Sequence, residues 1–224
     1  MNYVDIPWEE KQAALDAIQR LREEFAARGW FPASSGSLSM RVGRYKPDRF
    51  VFAITADETY WSELSAIPSP SVGALFVDAA SAPCEPTRLK PCSDAPIHAR
   101  IYRMTGCGAI VHVHTTFNNV LSDYFAADGG VPLKGNELLK SLEIWEPQTE
   151  ARVPILPNAA ELPAILKQIP GSLDTRVPAL LLQNHGVYVW GTNIAEAKRH
   201  LEALEFMFEA LYRSLLLPPK GHHA

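Results

Sequence analysis

Apolar positions along the chain fall into two rhythms. Ala14, Ile18, Leu21 and Phe25 recur at helical spacing, and Pro7 before them and Gly29 after them suit the two ends of a helix from Trp8 to Arg28. A second helix is predicted to start at Ser93 or Asp94, either of which can cap it, with Pro96 in its first turn and Gly106 at its end. Thr116–Ala126, Asn136–Ile144 and Ala159–Ile169 also read as helices. A last one, from Asn193 to Leu216, carries the stripe Ile194, Ala197, Leu201, Leu204, Phe208, Leu211 and Leu215, and Asn193 with Glu196 forms a capping-box pattern. Between them, β-branched and aromatic runs predict strands at Leu38–Val42, Arg49–Thr55, Ala74–Asp78, Ala109–His114, Ala179–Gln183 and Val187–Trp190. Five prolines between Ala66 and Cys92 mark that segment as loop around one short strand. Helices interleaved with strands predict a single α/β domain over residues 1–217, a sheet covered by helices, with a disordered tail over 218–224.

Composition narrows the function. A chain of 224 residues is long enough to bury a core without metal or disulfide staples. Its net charge of −4 creates no field that would gather nucleic acid, so no nucleic-acid partner is expected. No apolar run approaches the ~18–20 residues of a membrane span. The first residues, MNYVDIPWEEK, lack a cationic segment followed by an apolar one. Three cysteines (Cys84, Cys92 and Cys107) without CxxC spacing fit a reducing compartment, and the expected location is the cytoplasm. Seven histidines stand against those three cysteines. Metal chemistry here would lean on imidazole and carboxylate.

The sharpest local signal is His112-Val113-His114 within a strand. Side chains alternate across a strand, so both imidazoles project to one side with Cα atoms ~6.5–7 Å apart, close enough to share one ion. Read by itself, the pair also fits two half-exposed histidines on a polar face. The strand ends there, as sites in open α/β sheets do. His185, in the turn Asn184-His185-Gly186 after an apolar strand, can supply a third imidazole, and three histidines with one open position describe a catalytic site. His98 and His200 read as ordinary helix residues, His222 and His223 as tail. Glu137 reads locally as an acid favoured at a helix start, and Asp94 as an N-cap.

Ser35-Gly36-Ser37-Leu38-Ser39, Lys90-Pro91-Cys92-Ser93-Asp94, His112-Val113-His114 and Asn184-His185-Gly186 occur in the order seen in the class II aldolase/adducin family, which the chain resembles over nearly its whole length. Gly29-Trp30-Phe31-Pro32-Ala33, Lys134-Gly135-Asn136-Glu137 and the run from His185 to Gly191 liken it to the family branch that dehydrates a 2-ketose 1-phosphate in methionine salvage. The resemblance implies a three-layer α/β/α domain and a homo-oligomer, a tetramer, with active sites near subunit interfaces. It implies a divalent metal, zinc, one per subunit, at His112, His114 and His185, and makes Glu137 the catalytic acid/base. Asp94 falls where aldolase relatives carry their base, and becomes a secondary acid/base. Phosphate binding is implied at Ser35, Gly36, Ser37, Lys90 and Ser93.

The chain departs from the family pattern at Ser37, where an asparagine is usual, and at Asp57-Glu58, where relatives carry a Thr- or Ser-Gly pair. Two carboxylates beside a phosphate would repel it, so this loop is expected to turn away. Two other readings share the scaffold: an aldolase or epimerase acting on another sugar phosphate, and a non-catalytic adducin-like interaction module. The module has no need of the three histidines.

Overall fold

The computed structural model describes residues 3–57, 73–146, 150–172 and 176–218. Among the described residues, five α-helices flank eight strands: α1 (Trp8–Ala27), α2 (Ala95–Thr105), α3 (Thr116–Tyr124), α4 (Leu162–Ser172) and α5 (Ile194–Leu215). The strands are β1 (Ser37–Lys46), β2 (Arg49–Thr55), β3 (Ala74–Asp78), β4 (Ala109–Val113), β5 (Gly130–Leu133), β6 (Ala151–Leu156), β7 (Ala179–Leu182) and β8 (Gly186–Gly191). They form one sheet in the order β3-β2-β1-β4-β8-β7-β6-β5. Ile18, Leu21 and Phe25 of α1, Leu121 of α3 and Leu201, Leu204 and Phe208 of α5 pack in the core on one face. Ile97 and Ile101 of α2 and Ile165 and Ile169 of α4 pack in the core on the other. These are the three layers expected from the resemblance.

Two strands, β5 and β6, are absent from the elements that the sequence predicts. Each carries a proline, Pro132 and Pro154, which removes a ladder donor and disguises a strand in the sequence. The segment that reads as a helix over Asn136–Ile144 is a short 3-10 turn, Glu137–Leu142, with Asn136 accepting from the Leu138 N–H. At the start of α5, Asn193 caps the Glu196 N–H at 3.0 Å, but the Glu196 carboxylate reaches past Asn193 to the Thr192 N–H, so the box closes one residue early.

Sheet direction places the candidate site. Every neighbouring pair is antiparallel except β6 with β7. The placement rule for open parallel sheets therefore does not govern here. Instead the ladder lines up the beginning of β1, the end of β4 and the beginning of β8 on one edge: Ser37 pairs with His112, and Val113 with Val187. Following the directions across the sheet, β6 also ends on that edge, while β5 runs the other way and delivers Glu137 to the opposite one.

Candidate metal centre

His112 is the penultimate residue of β4 and is fully buried; His114 follows the strand end, its N–H donating to the Trp30 carbonyl at 3.1 Å. The Nε2 atoms of the two face each other at 2.9 Å. His185 closes the group, with ring centroids 5.4 Å from His112 and 4.8 Å from His114, and one nitrogen from each of the three lies within 4.8 Å of the others.

Hydrogen bonds behind the rings decide which nitrogen is free. The Nδ1 of His112 lies 3.0 Å from the Val187 carbonyl, which can only accept, so Nδ1 carries the proton and Nε2 keeps its lone pair. His185 repeats the arrangement, its Nδ1 at 3.3 Å from Asn158 Oδ1 at the end of β6. This anchoring of the outer nitrogen is the usual support for a metal-bound imidazole. Burial, then the neighbouring imidazoles, hold the His112 pKa well below 6.5; the same causes lower His114 to about 4, and burial lowers His185. Three imidazoles held neutral, each with a ring nitrogen within 4.8 Å of the others, are a donor set for a divalent cation.

The turn that presents His185 is built for closeness. Asn184 takes a left-handed backbone (φ 49), which asparagine tolerates best among side-chain-bearing residues, and its N–H donates to Ser122 Oγ at 2.9 Å. Asn119 Nδ2 donates to the His185 carbonyl at 2.7 Å. Gly186 packs against the other two imidazoles: a Cβ there would lie 2.6 Å from the Val113 carbonyl and 2.8 Å from His112 Cε1. The Tyr188 ring stacks on His112 at 3.8 Å and 3°.

Asp94 occupies the N-cap position of α2 yet makes no capping hydrogen bond. Its Oδ2 accepts instead from Ser37 Oγ at 2.9 Å and stands 3.8 Å from His112 Nε2. The capping role expected from the sequence is thus replaced by one at the site. His98, an ordinary helix residue by its sequence, is fully buried beneath Asp94, with burial lowering its pKa to about 3. His200, also buried, holds the Trp190 carbonyl through Nδ1 at 2.8 Å, far along β8 from the site.

The remaining sequence candidates divide. Ser37 is buried and its hydroxyl serves Asp94; Ser35 turns its hydroxyl to the Pro32 carbonyl at 2.6 Å. Gly36 (φ 88) lies against the Phe31 ring and the His112 carbonyl, where a side chain would clash. Ser93 and Lys90 stand at the surface, and the Lys90 carbonyl accepts from the Asp57 N–H at 2.9 Å. Glu58, His222 and His223 lie outside the described residues. Glu137 is not brought to the histidines. It stands on the opposite sheet edge, its side chain 78% exposed and paired with Lys140 at 2.5 Å. Cys92 is no nucleophile, since burial and then Asp94 push its thiol to about 12.

Behind the centre, Glu205 of α5 is buried and accepts from Thr115 Oγ1 at 2.7 Å and Asn118 Nδ2 at 2.8 Å, pinning the β4–α3 junction. Nothing in the local sequence separates it from the acidic residues on the outer face of that helix. Burial raises its pKa to about 7. The native state therefore keeps this proton over a range where the unfolded chain, near 4.5, has released it, so the stabilisation is full below 4.5 and is lost as pH rises through 7. In Glu205→Gln this slope should vanish, the gap to wild type changing by on the order of 3 kcal/mol between about pH 4.5 and 8. Urea unfolding at a series of pH values checks it; parallel curves for the two proteins would refute it.

The chain belongs to the class II aldolase and adducin N-terminal domain family, whose model matches residues 16–212. Among curated relatives, the methylthioribulose-1-phosphate dehydratase of Persephonella marina is 38% identical over 208 residues, 93% of each chain. That of Geobacillus kaustophilus is 38% identical over 91% of this chain and 93% of its own. The L-fuculose-1-phosphate aldolase of Thermus thermophilus shares the fold at 23% identity and a TM-score of 0.64, covering 89% of this chain and 95% of that one.

Proposed function

We propose that this chain is a metal-dependent dehydratase that removes water from 5-methylthioribulose 1-phosphate, yielding the 2,3-diketo-5-methylthiopentyl 1-phosphate of methionine salvage. The observation that carries the reading is the convergence of three neutral imidazoles beside a carboxylate that has been released from capping. The similarity to dehydratases over nine-tenths of the chain selects the substrate. Zinc, one ion per chain, is the metal proposed; His112, His114 and His185 would hold it through their unprotonated nitrogens, and other divalent ions suit the same donors. When bound, the ion supplies Lewis acidity to the substrate's ketone oxygen.

The residues do the rest. Asp94, fixed beside His112, takes the proton from C3 of the substrate. Glu137 gives its proton to the departing C4 hydroxyl, which leaves as water, and the resulting enol ketonises to the diketone. Because Glu137 stands on the opposite sheet edge of its own chain, it would serve the site of a neighbouring copy in a homotetramer. Phosphate is bound at the Ser35-Gly36 turn and by Lys90 and Ser93; Ser37 supports the site from beneath by holding Asp94.

Metal-loaded protein given the ketose phosphate should develop the diketone's absorbance. Release of a short aldehyde instead would mean cleavage of C3–C4, an aldolase. Purified protein carrying far less than one equivalent of transition metal, and inactive, would mean an interaction module.

A further inference from the structure

We infer that His98 is a positioning residue that, through Ser37, fixes the Asp94 carboxylate beside the metal-binding imidazoles. This rests on the function proposed above for its kinetic consequence, but its structural core stands apart from it. Ser37 and Ser39 are two residues apart on β1 and share the sheet face that α2 covers; His98 and Tyr102 are four apart on α2 and face them. The result is a line of four contacts: Asp94 Oδ2 to Ser37 Oγ at 2.9 Å, Ser37 Oγ to His98 Nε2 at 2.9 Å, His98 Nδ1 to Ser39 Oγ at 2.7 Å, and Ser39 Oγ to Tyr102 Oη at 2.7 Å.

Counting protons gives the line a direction. Neutral His98 has one N–H, and Ser37, Ser39 and Tyr102 have one O–H each, so four protons serve four contacts. If Tyr102 donates to Ser39, Ser39 to His98 Nδ1, His98 Nε2–H to Ser37 and Ser37 to Asp94, every contact is a hydrogen bond. If the line runs the other way, Tyr102 keeps a buried O–H with no acceptor among the described residues, and two bare oxygens meet at 2.9 Å between Ser37 and Asp94. A buried hydroxyl left without an acceptor forfeits its hydrogen bond to water with no replacement, so the first arrangement wins. The inner end at Tyr102 is fully buried, so the line opens to no solvent there and orients rather than conducts.

The consequence is that Ser37's single proton is directed to the carboxylate only while His98 carries its hydrogen on Nε2. Removing His98 frees Ser37 to turn away. Asp94, which makes no capping bond to the helix, then loses the Ser37 hydroxyl that holds its Oδ2.

Two measurements on the zinc-loaded protein test this. Nitrogen-15 NMR of histidine-labelled wild type should show His98 as the Nε2–H tautomer; the Nδ1–H tautomer would overturn the inference whatever the enzyme does. His98→Phe should lower kcat about 10- to 100-fold, the range typical of lost supporting partners, with KM and bound zinc unchanged. His98→Gln, whose amide N–H can replace Nε2–H, should recover most of that loss. Zinc lost in step with activity, or a Gln variant no better than Phe, would assign His98 to packing alone. Wild type inactive on the ketose phosphate would refute the proposed reaction, while the tautomer would still decide the positioning.

Discussion

Glu137→Gln is expected to lower kcat by about 10²–10⁴-fold while leaving bound metal at wild-type level, because Gln keeps the shape and loses the proton that the departing hydroxyl needs. The metal is spared because its proposed donors are the three imidazoles, and Glu137 is not among them. The separation of Glu137 from the histidines, on opposite sheet edges, makes a sharper experiment possible. In the homo-oligomer proposed above, subunits carrying Glu137→Gln, mixed by refolding or co-expression with subunits carrying His112→Ala, should assemble so that one interface brings an intact carboxylate to an intact histidine cluster. Activity should reappear in the mixture although each parent is inactive. A mixture as inactive as its parents would remove Glu137 from the neighbouring site, and full activity in Glu137→Gln alone would remove it from the reaction.

Gly186→Ala should be nearly as severe, by a different route. The added methyl would press on His114, sit 2.6 Å from the Val113 carbonyl and 2.8 Å from His112 Cε1. Real Cβ atoms do not accept such distances, so β8 must pull away from β4 or the imidazoles must rotate. Overpacking of this kind costs about 1–3 kcal/mol in stability. Ligand nitrogens displaced by about half an ångström no longer share one ion well. Metal affinity should fall by about tenfold or more and kcat/KM with it, whereas far-UV circular dichroism stays close to wild type. Titration with a competing chelator reads the first and a steady-state assay the second; unchanged zinc affinity would show that β8 yields without disturbing the ligands.

Much of this is legible in the chain. Period-two spacing is enough to bring His112 and His114 together, and the turn glycine after His185 marks a residue meant to approach closely. The helices that carry an uninterrupted apolar stripe, α1 and α5, lie within a residue or two of their predicted ends. What local pattern does not carry is anything decided across the sheet. Pro132 and Pro154 hide two strands whose existence rests on pairing rather than propensity. Asp94 looks like a cap because an aspartate before a helix usually is one; only the pairing of Ser37 with His112 shows that a better donor waits opposite. His98 looks ordinary because its partners lie 59 to 61 positions away. Glu137 is attractive as an acid from its motif, and strand direction alone reveals that it stands on the sheet edge opposite the histidines of its own chain.

The edge that gathers the beginnings of β1 and β8 around the end of β4 also sets the order of events in the molecule's making. Ser37 meets His112 across 75 positions of chain, and Val113 meets Val187 across 74. Contacts so distant in sequence close late, after local helices have formed. Until β4 has found both neighbours, His112 has no carbonyl to fix its tautomer and His185 has no strand to stand beside. An ion arriving at the nascent chain meets separate imidazoles; one arriving at the folded chain meets a site. Metal capture at the proposed centre would therefore read out completed sheet assembly, and a misregistered copy would carry none.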